Sequence, residues 1–220
     1  MTADNMVERR VRLLQSASED DIGRLVDLMI DAFPDDDPTK IGLLGGKLEL
    51  KEEYFTAMVR AALLEGDVWV VEVDNQWVSV GLWFKWPSIL FTTDAQRDLG
   101  YNEFFKKLSP EVQHWWTVEY EEQVDVWLKR KTISNEEWGR MWYCSLLATR
   151  SAHQGNGHAT ALVNRVLSEV HNQANGMIGL GTGSELNVAK YEAMGFRERG
   201  HITMHTPVNS FLCAWLTKDI

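Results

Sequence analysis

The sequence predicts an α/β domain, and three observations predict it. Runs rich in β-branched and aromatic residues alternate with stretches whose apolar residues recur at helical spacing. An apolar strand over 141–149 passes through a glycine-containing turn into an amphipathic helix over 159–172. The length, 220 residues, suits one domain carrying an insertion, at roughly 150 residues per domain. With 45% hydrophobic and 25% charged residues, the composition excludes wholesale disorder.

The elements follow in order. Arg10 to Gln15 reads as a first strand. Ser18 with Asp21 forms a capping box, and Ile22, Leu25, Val26, Met29, Ile30 and Phe33 continue at helical spacing. Pro34 to Pro38, with three aspartates between them, stops that helix as a solvated acidic loop. A second helix fits Leu48 to Leu64. Asp67–Val73 and Trp77–Lys85 are strands joined through Asp74, Asn75 and Gln76 as a hairpin. Residues 88–140 interrupt the alternation. Within them Ser109, Pro110 and Glu111 start a helix, since serine caps and proline suits a first turn. Val112, Trp116, Tyr120, Val124 and Trp127 then repeat at helical spacing. Nine of the ten tryptophans lie between Trp69 and Trp142; such a stripe is core, with some rings left to line a pocket. From Met141 the alternation resumes: strand 141–149, helix 159–172, strand 177–180, helix 187–194, strand 199–204 and strand 211–216.

Twenty-two basic against thirty-two acidic residues give a net charge of −10, which argues against a nucleic-acid partner. The imbalance is local. Residues 1–140 hold 16 Lys/Arg and 27 Asp/Glu, whereas 141–220 hold 6 and 5. An acidic first part suits a cationic ligand and the near-neutral remainder suits an anion. Met1 to Gln15 has no apolar run of the secretory kind, and the longest apolar stretch, Val78 to Phe84, is only strand-sized. Cys144 and Cys213 sit in apolar strands and read as buried reduced thiols, so a cytoplasmic protein without a membrane partner is expected.

The chemistry concentrates between Trp142 and Thr160. The strand ends in Gln154-Gly155-Asn156-Gly157-His158-Ala159, and the helix behind it carries Leu162, Val163, Val166, Leu167 and Val170 inward. A strand, glycine loop and helix in this order leave several main-chain N–H groups at a helix N-terminus, a site for phosphate. The dipole adds only about 0.3–1 kcal/mol at an exposed terminus, so hydrogen bonds supply most of the affinity. Gly155, Gly157 and the small Ala159 let the backbone approach the anion. An Asn-Gly turn without a ligand is the plain alternative. The nucleoside-triphosphate loop fits worse, because His158-Ala159 stands where Lys-Ser/Thr is needed. Gly179, Gly181 and Gly183 are followed by too little chain for a doubly wound sheet.

Gln154, Gly157 and Ala159 meet the pattern Gln-x-x-Gly-x-Gly/Ala of the GNAT superfamily of N-acetyltransferases. Asn187, Tyr191, Gly195 and Phe196 match its second signature, Asn-x3-Tyr-x3-Gly-Phe. The resemblance covers 141–216, and the first helices and hairpin agree with the family in order; the whole looks most like small-molecule and antibiotic acetyltransferases of the puromycin acetyltransferase type. It implies a mixed, mostly antiparallel sheet of six or seven strands flanked by helices, splayed between the strands at 141–149 and 177–180. The domain would span 1–220, with the tryptophan-rich helical insertion at 88–140. The pantetheine arm of acetyl-CoA would pair with the backbone of Leu147, Ala148 and Thr149, and its pyrophosphate would rest on Gln154, Gly155, Asn156, Gly157, His158 and Ala159. Asn187 would bond the arm further along, and Tyr191 would be the catalytic residue at the leaving sulfur. Two departures stand out: Asn156 replaces a frequent Arg or Lys, and 88–140 matches nothing in the family.

The implied function is transfer of acetyl from acetyl-CoA to a primary amine on a small, cationic and partly aromatic molecule, by direct attack in a ternary complex. The alternatives are a peptide or protein acceptor, or a non-catalytic acyl-CoA-binding module. Glu119, Glu121, Glu122 and Glu185 are candidate bases. His201 and His205 share a strand face without a carboxylate or cysteine to complete a metal set, so no metal is expected. His153 and His158 read as exposed loop residues. A monomer or homodimer is anticipated.

Overall fold

In the computed structural model, which describes residues 9–120, 122–124, 132–171 and 176–219, the first strand, β1 (Arg9–Leu14), begins one residue early. The Ser18 hydroxyl then accepts from the Asp21 N–H while the Asp21 carboxylate accepts from the Ser18 N–H, capping α1 (Glu19–Ala32) as their spacing predicts. Pro38 corrects the reading of its segment. It opens a further helix, α2 (Pro38–Leu43), with Asp37 as the cap accepting from the Lys40 N–H at 2.8 Å. Proline's fixed φ suits a first turn, so a breaker of one helix serves as the start of the next. A tight turn at Leu48–Leu50 precedes α3 (Lys51–Glu65). β2 (Asp67–Val73) and β3 (Gln76–Lys85) meet at Asp74 (φ 49°) and Asn75 (φ 62°), a left-handed pair that Asp and Asn tolerate in a two-residue hairpin.

The insertion is helical but bent. A helical turn at Asp94–Gln96 comes first, and α4 (Asn102–Lys107) follows a break at Gly100, whose φ of 125° only glycine adopts with ease. Ser109 caps α5 (Pro110–His114), which widens into a π-type turn over Trp115–Glu119. Trp127 lies outside the described residues. A second capping box, Ser134 with Glu137, starts α6 (Asn135–Gly139). After β4 (Met141–Thr149) come α7 (His158–His171), β5 (Met177–Thr182), α8 (Glu185–Ala193), β6 (Arg197–His205) and β7 (Ser210–Asp219), each within a few residues of its predicted bounds. Asn172, the predicted end of α7, lies outside the described residues.

The strands form one seven-stranded sheet in the order β1-β2-β3-β4-β5-β7-β6. Every neighbouring pair is antiparallel except β4 and β5. One face carries α1, α3 and the insertion over Val68, Val70, Val80, Leu82, Leu146 and Ala148. The other carries α7 and α8 over Trp69, Val71, Val78, Trp83, Cys144 and Leu180. Cys144 and Leu146 are two apart and should share a face, yet they lie on opposite ones. The register explains it: Trp83 pairs with Cys144 and Leu82 with Leu146, so Ser145 is an extra residue in β4. A bulge of this kind flips the face of everything beyond it.

Of the tryptophan stripe, Trp69, Trp77, Trp83 and Trp115 are core, Trp116, Trp138 and Trp142 are half-buried, and Trp86 is exposed. Trp115 Nε1 donates to His205 O at 2.6 Å and Trp116 Nε1 to Leu43 O at 2.9 Å. These bonds tie the insertion to β6 and α2. On its other flank, Glu65 accepts from Thr93 Oγ1 and from Gln96 Nε2. Among the described residues no helix is long and apolar enough to cross a membrane.

Candidate active site

The sheet opens where the splay was expected. β4 and β5 pair from Met141/Met177 to Cys144/Leu180 and no further, although β4 continues beside β3 to Thr149. Arg150 N–H donates to Val78 O at 2.9 Å. By the alternation of an antiparallel ladder, Ala148 and Leu146 therefore direct their main-chain groups to β3, and Leu147 and Thr149 direct theirs into the gap. Ala148, read from sequence as a gap-facing residue with its neighbours, faces β3 instead. The bulge at Ser145 sits at the point where the gap begins. Its hydroxyl is buried without a partner among the described residues, and the extra residue of a bulge lacks a ladder bond. Sequence reading missed Ser145, since a bulge leaves no pattern in an apolar strand.

Beyond Thr149 the chain makes a single turn at Ser151–His153 and reaches the glycine loop. Gly155 and Gly157 both take left-handed φ, 77° and 73°. Asn156 turns its side-chain amide inward, donating to His153 O and Gln154 O at 3.2 and 3.3 Å. Gln154 Nε2 donates to Thr149 O at 3.2 Å, closing the end of the gap. The main-chain N–H groups of residues 155–160 meet no acceptor among the described residues, so the start of α7 keeps its donors free. The loop is anchored from α1: Ser151 N–H donates to Asp31 Oδ2 at 2.6 Å and Ser151 Oγ to Asp31 O at 2.8 Å. His158 corrects its reading as an exposed loop residue. As the first residue of α7 it turns inward and is buried at 9% exposure, its Nδ1 unpartnered. Burial, then Arg9 and His153, hold its pKa below the usual histidine value. His153, 5.9 Å away between ring centres, is half-buried.

Across the gap, Ser184 caps α8 by accepting from the Asn187 N–H at 3.2 Å. Asn187 and Tyr191, four apart, share one face of α8. Tyr191 packs, with Leu147, against the cluster that holds Cys144 and Leu180, its ring edge-on to Phe196 at 5.7 Å. Burial pushes its phenol above the ordinary tyrosine value, with Cys144 adding to the shift. Leu147 of the gap-facing strand and Tyr191 of α8 thus pack against one cluster.

The base candidates fare differently. Glu119, Glu122 and Glu185 are exposed, and Glu121 lies outside the described residues. His201 Nδ1 pairs with Glu198 at 2.6 Å and His205 Nδ1 with Ser210 Oγ at 3.0 Å. Among the described residues no group of three His, Cys, Asp or Glu is placed to hold a metal. The acidic run is partly answered from below: buried Lys51 Nζ donates to Asp35 Oδ1 at 2.6 Å and Phe33 O at 2.9 Å. Lys40, also buried, is pushed down to about 8 by desolvation, its ammonium 4.3 Å over Phe33. Two hollows, of about 400 Å³ beside Trp69, Trp142 and Arg165 and about 570 Å³ beside Ile133 and Trp138, contain none of the signature residues.

No family model matches the sequence, and no curated protein does. Solved structures match over almost the whole chain. The histone acetyltransferase HPA2 and related acetyltransferase of Corynebacterium glutamicum is 19% identical, with 96% of each chain covered and a TM-score of 0.58. Arylalkylamine N-acetyltransferase 2 of Aedes aegypti is 12% identical over 96% of this chain and 99% of that one, with a TM-score of 0.61. The Drosophila melanogaster polyamine N-acetyltransferase, which forms N-acetylagmatine, is 11% identical over 97% and 100%, with a TM-score of 0.59. At such identities the likeness is one of architecture, and it extends over the first half of the chain and the insertion as well as the two signatures. The fold of this chain is the GNAT acetyltransferase fold.

Proposed function

We propose that the protein is an acetyl-CoA-dependent N-acetyltransferase acting on the primary amine of a small, cationic, partly aromatic molecule, by direct attack in a ternary complex. The observation that carries this reading is the stretch of β4 at Leu147 and Thr149 that β5 leaves unpaired, followed by the free N–H groups at the start of α7. A pantetheine arm carries amides that pair as a strand does, and a diphosphate follows it at a helix N-terminus. Asn187, in the first turn of α8, would bond the arm from the far side. Neighbours named for arylalkylamines and polyamines, and the acidic first part of the chain, favour a cationic amine acceptor.

Bound acetyl-CoA supplies a thioester whose sulfur leaves as a thiol. Attack needs a neutral amine, and recovering one from an alkylammonium of pKa about 10.4 costs roughly 4 to 5 kcal/mol at pH 7. A low-dielectric acceptor site lowers that cost, because burial disfavours the ammonium form. Tyr191, held protonated by burial, donates a hydrogen bond to the departing sulfur. A full proton transfer from so weak an acid would run uphill.

The test is thiol release from acetyl-CoA over a panel of polyamines, arylalkylamines, aminonucleosides and peptides. Release with small amines supports the reading. Release with peptides alone moves the acceptor to a protein, and binding of coenzyme A without release under any amine leaves a cofactor-binding module.

A further inference from the structure

A diphosphate carries at least two negative charges, yet residues 151–160 contain no lysine or arginine. Main-chain donors and a helix dipole alone leave much of that charge unanswered. The sheet order supplies the missing cation from elsewhere in the chain. β1 is parallel to β3 and antiparallel to β4 through the sheet, so its first residue lies at the end of the sheet where β4 delivers the loop. Arg9, 148 residues before Gly157, reaches the loop there, with Nη1 donating to Gly157 O at 3.4 Å. A methyl group built on Gly157 would stand 3.8 Å from that nitrogen. Among the described residues the contact is long, single and exposed, and a guanidinium has five N–H donors in a planar fork. The remaining donors meet no acceptor among the described residues and can turn to an anion over the free amides of residues 155–160. A second feature marks the same spot: the buried His158 imidazole has an unpartnered Nδ1, and Arg9 is among the groups that keep it neutral.

We infer that Arg9 is a cofactor-binding residue that grips a phosphate of coenzyme A at the start of α7. The inference rests on the proposed coenzyme A site. Asn156 gives the loop no charge and is spent on holding its own turn. Arg9 takes over the electrostatic part of the work from the edge strand β1, and a planar fork suits bidentate contact with phosphate oxygens.

Calorimetric or tryptophan-fluorescence titrations of wild type, Arg9→Ala and Arg9→Lys with coenzyme A, 3′-dephospho-coenzyme A and pantetheine test this. Arg9→Ala is expected to weaken coenzyme A at least tenfold, with Arg9→Lys recovering part of the loss, and to leave pantetheine unchanged. An equal loss with the dephospho form assigns Arg9 to the diphosphate; a loss confined to coenzyme A assigns it to the 3′-phosphate. Unchanged coenzyme A affinity in Arg9→Ala overturns the inference while wild-type binding keeps the site. An equal loss for pantetheine overturns it too, because the residue then only shapes the loop. Wild type that binds no coenzyme A removes the site itself, and with it this inference.

Discussion

Tyr191 is the residue whose environment says most about its role. A half-buried phenol beside Phe196 and the Cys144 cluster, with its pKa raised, stays protonated at neutral pH and keeps its proton to donate. Replacement by phenylalanine keeps the ring packing and removes the donor. Tyr191→Phe is expected to lower kcat by about 10- to 100-fold with little change in the KM for acetyl-CoA, as measured by steady-state kinetics at saturating amine. A parallel rise in KM would make the hydroxyl a ground-state contact. At this scale the two signatures were readable because glycine, asparagine and tyrosine serve local needs: a left-handed φ at Gly155 and Gly157, a helix start at Asn187. Arg9 and Ser145 were not readable. One acts through the sheet order across more than a hundred residues, and the other through an extra residue that hydrophobic spacing does not reveal.

Helices declare themselves by their caps, and α6 shows how much one cap can carry. Glu137 closes a capping box with Ser134 and also accepts from Arg199 Nη1 of β6 at 2.8 Å. The Arg199 bond first, then the Ser134 N–H, hold its carboxyl down at about 2, below the ordinary 4.5. A depressed carboxylate stabilises the fold above its unfolded value and loses that contribution as pH falls through the folded one. Glu137→Gln is therefore expected to cost about 1–2 kcal/mol at pH 7, given the partial exposure of the pair. Denaturant melts should show the difference shrinking from about pH 4.5 downward and vanishing near pH 2. The same logic of local signals explains what the sequence disclosed of the elements. Ser18, Ser109 and the Asp74-Asn75 turn were visible because each is satisfied within a few residues. The acidic loop concealed α2, since Pro38 ends one pattern and begins another, and the bend at Gly100 broke a periodicity that would have marked the insertion.

The molecule as a whole is a two-sided sheet whose two cores are held by different helices, with the candidate site at the one place where neighbouring strands part. A ligand there joins the β1–β4 half to the β5–β7 half, and it binds only the folded chain. At a coenzyme A concentration of 100 times Kd the expected stabilisation is about 2.7 kcal/mol. For a chain of this size that raises Tm by roughly 5–10 °C, which a thermal-shift titration measures directly. A flat response would count against a cofactor lying along β4. The parted strands carry a second implication. A sheet interrupted in its middle has raw borders that recruit stray extended peptide, a hazard other proteins meet only at their outer margins. The cosubstrate would then double as a plug against clumping, and preparations stripped of it should cloud sooner on warming than saturated ones.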